Sequence, residues 1–154
     1  MSVSEAWLLE PNEELLVAIS DHEIVEHIQG SITYPIPGSP EYCNKTVFWQ
    51  GHLVPVIELD RLLGLPLDES SQFMTLIAFQ SQPDTALQYL ALKVNVVPRK
   101  IMVDDDQVCE LPEKISKSPL NSLCLSCFVY ENKSVLILDM ARLCSAEYRD
   151  SVNS

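Results

Sequence analysis

Apolar and polar positions alternate along most of this chain in short runs, which is the pattern of half-buried β-strands. Turn-forming residues separate the runs, and few segments have the 3.6-residue apolar spacing of a helix. Strands are predicted over residues 6–9, 14–19, 46–49, 53–57, 73–79, 89–97, 101–103, 107–111, 123–129 and 134–138. Short strands at this spacing predict a mainly β fold of one or two small β-barrels.

Three segments carry helix signals. The first is a capping-box pattern at Ser20 and Glu23, and it predicts a helix that Gly30 ends. The other two are short apolar stretches that follow Glu58 and Asp139, the second of them reaching about residue 148. Loops, linkers or a frayed end are predicted over residues 34–40, 68–72, 112–121 and 150–154.

One unit of the sequence occurs twice. Segments 49–62 and 130–143 have similar residue types position by position, although only three of the fourteen pairs are identical. The matched pairs include Trp49 with Tyr130, Gly51 with Asn132, Glu58 with Asp139 and Arg61 with Arg142. Each copy predicts a strand, a turn residue that tolerates positive φ, a second strand and an acidic residue before a short helix. The repeat therefore predicts two similar subdomains related by an approximate two-fold rotation.

Charge and hydropathy narrow the classes of partner. The 154 residues include 22 acidic and 10 basic side chains, for a net charge of −12. Phosphate backbones and anionic lipid surfaces repel such a chain, so nucleic acid binding is disfavoured. No apolar run approaches the ~18 residues of a membrane span, and no signal peptide is visible. We therefore expect a cytoplasmic protein whose partners are other proteins, without insertion into a membrane.

Cys124 and Cys127 form a C-x-x-C pair. A zinc ribbon would need a second such pair, and the other cysteines, Cys43, Cys109 and Cys144, are isolated in sequence. Residues three apart on a strand face opposite sides, and a redox pair should open a helix. Buried unpaired thiols are therefore favoured. A cytosolic thiol redox protein using Cys124 and Cys127 remains the main alternative function.

The other chemistry-bearing residues predict no metal, cofactor or catalytic centre. His22 and His27 lack the i,i+4 spacing of helical metal ligands, and His52 falls at a turn. The acidic triplet 104–106 lacks the spaced oxygen ligands of a calcium loop. Glu58 and Asp139 are interpreted as helix N-terminal residues that the helix dipole favours. We expect no catalytic residue, no cofactor and no metal site.

The order of four segments resembles the CheW-like family. These segments read YPIPGSPEY, VFWQGHLVPVIELDRLLGLP, LALKVNVVPRKIMV and SVLILDMARL, and the resemblance covers about residues 14–143. The second segment is the most specific, with a glycine turn at Gly51, an apolar strand over 54–59 and a short leucine-rich helix ending in glycine over 62–64. The resemblance implies two intertwined SH3-like five-stranded β-barrels forming a single domain over residues 6–148, with a frayed tail over 149–154.

Members of this family are adaptors that bridge chemoreceptors to a sensor histidine kinase in bacterial chemosensory arrays. The resemblance implies a non-enzymatic adaptor that binds chemoreceptor cytoplasmic tips and the regulatory domain of such a kinase, without a small-molecule substrate. A small-molecule sensor with a ligand in a barrel groove is a further alternative. The residues expected at the protein interface are Pro37, Gly38, Phe48, Trp49, Gln50, Gly51, His52 and Arg61.

The first turn departs from the family pattern. The family usually reads Asn-Leu-Arg-Gly where this chain has the sequence 48–51, Phe-Trp-Gln-Gly. Neutral Gln50 removes a charge and a bidentate donor, and Asn95 replaces a further usual aspartate. These departures suggest a divergent member, attached to a type IV pilus (twitching motility) chemosensory pathway. Trp49 is either a core residue or an interface anchor, because Trp is enriched in binding hot spots.

Overall fold

The structure, a computed structural model, describes residues 3–12, 15–20, 23–30, 32–64, 73–80, 82–104 and 108–153. The strands are β1 Val3–Asn12, β2 Leu15–Ser20, β3 Ile24–Gln29, β4 Thr33–Pro35, β5 Lys45–Trp49, β6 His52–Ile57, β7 Phe73–Phe79, β8 Gln88–Val94, β9 Arg99–Asp104, β10 Cys124–Tyr130 and β11 Lys133–Leu138. The α-helices are α1 Leu59–Leu62, α2 Glu113–Ser116, α3 Met140–Leu143 and α4 Ala146–Asn153. The 3₁₀ helices are Glu41–Cys43 and Pro119–Leu123.

The strands form two sheets whose chain segments are intertwined. The terminal sheet has the order β10-β11-β2-β1-β9, and the central sheet has the order β3-β7-β8-β6-β5-β4. The chain starts in the terminal sheet, builds the whole central sheet, and then returns to complete the terminal sheet. Neighbouring strands are mostly antiparallel, but β11 runs parallel to β2 and β6 runs parallel to β8. Each parallel pair places side by side two strands that are distant in sequence, so neither sheet consists only of hairpins between consecutive strands.

The central sheet curls on itself. In strand order, β7, β8 and β6 separate β3 from β5. Nevertheless, the Trp49 Nε1 of β5 donates to the Glu26 Oε2 of β3 at 2.7 Å. A flat sheet could not bring these side chains together, because neighbouring strands lie about 4.8 Å apart. The two curled sheets confirm the predicted mainly β architecture and are consistent with SH3-like barrels.

Among the described residues, buried apolar side chains form three cores, and one of them joins the two sheets. A shared core lies between them and contains Leu15, Val17 and Ile19 of β2. The alternate residues of β2, Leu16 and Ala18, belong to a smaller core of the terminal sheet. A third core, inside the central sheet, contains residues such as Val47, Val54, Val56, Met74, Leu76 and Ala91. Strand β2 is therefore apolar on both faces, which explains why its sequence reads as a continuous apolar run.

The predicted repeat is present as two similar hairpins, each followed by a short helix. Hairpins β5–β6 and β10–β11 both close with two-residue turns. Both turn residues have positive φ in each case: 47° and 80° at Gln50 and Gly51, and 50° and 66° at Glu131 and Asn132. This is the type I′ geometry, whose twist matches that of the flanking strands. The two-fold rotation between the two units remains a prediction.

The repeat extends upstream of the segments matched in sequence. A 3₁₀ helix precedes each hairpin, Glu41–Cys43 before β5 and Pro119–Leu123 before β10. The carbonyl of Tyr42 accepts from the Glu58 N–H at 2.8 Å, and that of Leu123 accepts from the Asp139 N–H at 2.8 Å. In each unit, this hydrogen bond joins the 3₁₀ helix to the acidic residue that directly follows the second strand of the hairpin.

The helix predicted from Ser20 to Gly30 was wrong, because residues 24–29 form strand β3. Strand β3 pairs antiparallel with β7, from Ile24 opposite Ile77 to Gln29 opposite Phe73. β-branched residues such as Ile24 and Val25 favour a strand where a partner strand is available. The spacing argument about His22 and His27 therefore fails, since His27 lies on a strand and His22 is outside the described residues.

The segments predicted as loops also differ in part from the prediction. Residues 112–121 contain α2 and most of the 3₁₀ helix Pro119–Leu123, with the Ser118 hydroxyl capping the Leu120 N–H. The predicted strand 107–111 reduces to one antiparallel bridge between Val108 and Phe128. Residues 68–72, 105 and 106 lie outside the described residues, so the predicted linker and most of the acidic triplet are not described.

The C-terminal helix is broken in two. Helix α3 ends at Leu143, and α4 begins at Ala146. The break lies at Ser145, whose hydroxyl accepts from the Tyr148 N–H at 3.1 Å and so caps a new helix. Helix α4 continues to Asn153, through residues that were expected to fray.

Candidate protein-interaction surface

The hairpin β5–β6 has one buried face and one exposed apolar face. Val47 and Val54 sit opposite each other and are each 1% exposed, so they belong to the core of the central sheet. The next pair, Phe48 and Leu53, points the other way, with exposures of 61% and 62%. Alternation along paired strands thus places two large apolar side chains side by side in solvent.

Strand β4 extends this exposed face. Tyr34 is 47% exposed, and its ring packs edge-to-face against Phe48 with centroids 6.1 Å apart. We call Tyr34, Phe48 and Leu53 the outer apolar face. Sequence reasoning named Phe48 but missed Tyr34 and Leu53. The signal was available for Leu53, because a two-residue turn after Trp49 fixes Leu53 opposite Phe48.

Trp49 lies on the opposite face from Phe48 and is half-buried. Its ring packs against Tyr89 with centroids 5.4 Å apart, and its indole N–H donates to Glu26. The side chain also packs against the core of the central sheet. Trp49 therefore helps close the curled central sheet.

The turn itself is open to solvent. Gln50, Gly51 and His52 are exposed, and an added Cβ at Gly51 would meet no atom within 4 Å. The His52 ring lies 6.0 Å from the Tyr89 ring, centroid to centroid. The tip is therefore accessible, and its shape is fixed by the type I′ backbone rather than by packing.

Arg61 lies at the base of the hairpin, far from the tip. Its Nε atom is 3.3 Å from Glu58 Oε2, and its Nη1 is 3.7 Å from Glu41 Oε2. The Arg61 side chain is only 18% exposed. Its charge is thus already paired within the fold.

Pro37 and Gly38 form a second exposed turn near this base. The Ser39 N–H points at the Ile36 carbonyl at 3.4 Å, and Gly38 has φ of 78°. Pro followed by a residue of positive φ is the type II turn pattern. The structure therefore brings residues 48–52 together at the hairpin tip and places Pro37, Gly38 and Arg61 elsewhere.

Glu58 is the centre of a buried ion cluster. Its carboxylate is 2% exposed and lies 3.4 Å from Lys45 Nζ, 3.6 Å from Lys93 Nζ and 3.3 Å from Arg61 Nε. Glu58 lies at the N-terminus of α1, as interpreted from the sequence, but among the described contacts its side chain makes no capping hydrogen bond. Asp139, its counterpart in the repeat, does cap a helix, because its Oδ1 accepts from the Arg142 N–H at 3.1 Å.

Asp60 is a second buried carboxyl beside this cluster. Removal from water raises the pKa of Asp60, Lys93 opposes the rise, and Glu58 adds to it. The cluster thus joins β5, β8 and α1 by charge, at the point where β6 ends.

Cys124 and Cys127 lie on the same side of β10. A register shift between Cys124 and Ser126 inserts an extra residue, and both thiols then pack toward the shared core. The expectation that they face opposite sides was therefore wrong. Burial raises the pKa of Cys124 to about 11 and that of Cys127 to about 12. A catalytic C-x-x-C centre attacks its substrate through a thiol of lowered pKa, so this pair does not have that catalytic chemistry.

Two further observations concern metals and membranes. In the part of the chain that the structure describes, no three His, Cys, Asp or Glu side chains cluster as metal ligands would. The described helices are also too short to cross a membrane, since the longest, α4, has 8 residues.

Comparison with known proteins now adds to this geometry. Comparison with curated protein sequences gives no match. A solved structure with a similar fold is the scaffolding protein TtCheW from Thermoanaerobacter tengcongensis, with a TM-score of 0.69, 18% sequence identity, and 90% of each chain covered. The model of the CheW-like domain family matches residues 7–147. Since this match spans nearly the whole sequence, the chain belongs to the CheW-like domain family.

Proposed function

We propose that this chain is a non-enzymatic adaptor of a bacterial chemosensory pathway. In this role it couples chemoreceptor cytoplasmic tips to the regulatory domain of a sensor histidine kinase, in the cytoplasm. Membership of the CheW-like family and the fold of a scaffolding protein support the proposal. The observation that carries it is the outer apolar face, which presents Tyr34, Phe48 and Leu53 to solvent.

The outer apolar face has the properties of a binding hot spot. Its aromatic rings already contact each other, so little side-chain freedom is lost when a partner covers them. Paired strands and a two-residue turn hold Phe48 and Leu53 in place. Aromatic anchors on a rigid support, surrounded by polar positions, are typical of protein interfaces. In this proposal the tip residues 49–52 form one rim of the interface, and Pro37, Gly38 and Arg61 contribute from the base.

The neutral turn supports a divergent pathway. Gln50 carries no charge where relatives carry an arginine, and Asn95 carries none where an aspartate is usual. Ions screen charged contacts but not a neutral amide. Binding at this tip should therefore depend less on salt than binding by arginine-bearing relatives. We assign the chain to a type IV pilus (twitching motility) pathway, and this assignment predicts a pilus-associated sensor kinase gene beside its own.

The test is a binding titration with matched surface variants. Phe48→Ala and Leu53→Ala should each weaken binding to the kinase regulatory domain or to the receptor tip. The expected loss is about 2 kcal/mol, or roughly thirty-fold in Kd. The control is Leu125→Ala, because Leu125 on β10 is 66% exposed against 62% for Leu53. Both titrations are repeated at low and high salt.

Trp49→Ala is unsuitable as the main variant, because Trp49 helps close the central sheet and its loss would destabilise the fold. Circular dichroism should show that Phe48→Ala and Leu53→Ala are folded like the wild type. If folded variants bind both partners as tightly as the wild type does, the outer apolar face is not the interface. If the wild type binds neither partner, the adaptor function itself is wrong.

A further inference from the structure

One edge of the terminal sheet is covered by a neighbouring segment of the chain. β10 is the last strand in the order of that sheet, and among the described residues, 108–110 run beside it. Their described contacts include the antiparallel bridge between Val108 and Phe128, the hydrogen bond from the Cys109 N–H to the Cys127 carbonyl at 2.9 Å, and a hydrogen bond from the Cys127 thiol to the Glu110 carbonyl at 3.8 Å. An open strand edge is a template for another strand, so the state of this cover matters to what β10 can bind.

The cover and β10 each carry a cysteine at the point of contact. Because Val108 faces Phe128 in an antiparallel pair, Cys109 faces Cys127 directly. Directly opposed, hydrogen-bonded residues have Cα atoms about 5.5 Å apart, which is within the range that a disulfide spans. Both side chains also face the shared core, Cys127 within it and Cys109 packed against it. Both cysteines are free in this structure.

We propose that Cys109 and Cys127 form a reversible intramolecular disulfide that fastens the cover to β10 under oxidising conditions. Hydrogen peroxide first converts the partly buried Cys109 thiol into a sulfenic acid and releases one water. The Cys127 sulfur then attacks the Cys109 sulfur, the S–O bond breaks, and the hydroxyl leaves as a second water with the Cys127 proton. The two thiols lose two electrons in total, and the O–O bond of hydrogen peroxide accepts them.

Geometry favours this pair over the others. Cys124 faces the shared core with Cys127, but a bulge separates their positions along the same strand. Cys43 and Cys144 line one hollow of about 170 Å³ at the ends of two short helical segments. Cys109 and Cys127 are joined by a backbone hydrogen bond, so their separation is fixed before oxidation. Reducing conditions in a cytoplasm would reverse the bond, as expected for a transient regulatory disulfide.

The disulfide changes how easily the cover lifts. Without it, the described contacts that hold the cover on β10 are one bridge and two hydrogen bonds, and pairings this short open more readily than full strands. With it, lifting the cover would require breaking a covalent bond. We therefore expect the cover to open less often in the oxidised chain than in the reduced chain.

The experiment uses the full chain treated with hydrogen peroxide and then digested with trypsin under non-reducing conditions. Cleavage after lysine places Cys109 in peptide 101–114 and Cys127 in peptide 118–133. The expected product is these two peptides joined with the loss of two hydrogen atoms, and dithiothreitol should separate them. Peptide 118–133 also holds Cys124, so backbone fragmentation must place the link at Cys127.

Two variants and one further measurement complete the test. Cys109→Ser should abolish the link, and Cys124→Ser should leave it intact. Amide hydrogen exchange in peptide 101–114 should be at least several-fold slower in the oxidised chain. The proposal is overturned if the link joins another pair of cysteines, or if peroxide converts Cys109 to a sulfinic acid while Cys127 stays a free thiol. It is also overturned if Cys109 stays a thiol when peroxide has oxidised the methionines.

Discussion

At the scale of single residues, equivalent positions of the repeat perform different tasks. Glu58 and Asp139 both end the second strand of a hairpin, and the backbone N–H of each binds a 3₁₀-helix carbonyl. The Glu58 carboxylate is surrounded by three cations, whereas the Asp139 carboxylate caps α3. The sequence shows an acidic residue at both places, but the lysines that distinguish Glu58 come from β5 and β8. Only the folded chain brings those lysines to it.

This difference leads to a prediction about stability. Glu58→Gln should lower the free energy of unfolding by about 3 kcal/mol, because it removes the buried negative charge between Lys45, Lys93 and Arg61, two of which are largely buried. Asp139→Ala should lower it by about 1 kcal/mol, the usual cost of losing a helix cap. Urea denaturation of both variants and the wild type measures the two values. Equal losses in the two variants would contradict the ion-cluster role of Glu58.

At the scale of elements, the two repeated hairpins and strands such as β7 were predictable, whereas β3 was not. The hairpins β5–β6 and β10–β11 carry their own turn signals and alternation, so local sequence is sufficient to define them. A capping-box pattern precedes β3 and indicates a helix. The segment nevertheless forms a strand, because it pairs with β7 nearly fifty residues away. Helix α4 was extended and displaced relative to its prediction because Ser145 starts a new cap. Local signals therefore fail where a distant partner or an unrecognised cap competes with them.

The first turn leads to a prediction at the element scale. Gln50 has φ of 47°, a region that costs most side chains energy but that Asn tolerates. Gln50→Asn creates the Asn-Gly pair preferred in type I′ turns, and it should stabilise the fold by about 0.5 kcal/mol.

Gly51→Ala is the matched opposite change. Gly51 has φ of 80°, and its surroundings leave room for a methyl group, so the cost is one of backbone strain alone. It should destabilise the fold by about 1 kcal/mol. Urea midpoints measure both changes, and a Gly51→Ala protein as stable as the wild type would contradict the assigned turn geometry.

At the scale of the whole molecule, the intertwined chain should make the two sheets unfold together. The terminal sheet needs strands from both ends of the chain, and the shared core takes side chains from both sheets. Trp7 of β1 contacts His27 of β3 with ring centroids 5.0 Å apart, so the edge strand β3 of the central sheet also contacts the terminal sheet. Neither sheet can be removed without exposing the core of the other.

The two tryptophans test this coupling, because Trp7 lies in the terminal sheet and Trp49 in the central sheet. Trp7→Phe leaves a reporter in the central sheet, and Trp49→Phe leaves one in the terminal sheet. In each variant, unfolding measured by fluorescence should coincide with unfolding measured by far-ultraviolet circular dichroism. A fluorescence midpoint that differs from the circular dichroism midpoint would show that the sheets unfold separately.

The sequence by itself determined the mainly β class, the two hairpin units, the net charge that disfavours nucleic acid, and the resemblance to the CheW-like family. These features depend on alternation, turn chemistry, composition and local order, all of which are written along neighbouring residues. The tip residues 48–52 could be named for the same reason, because one hairpin carries them all.

The tertiary structure decided what the sequence left open. It closed the central sheet through Trp49 and Glu26, surrounded Glu58 with cations from three elements, and placed Tyr34 beside Phe48 and Leu53. It also set Cys109 against Cys127 rather than pairing Cys124 with Cys127. Each of these contacts joins residues from different strands or helices, and a contact of that kind exists only when pairing and curvature bring the elements together.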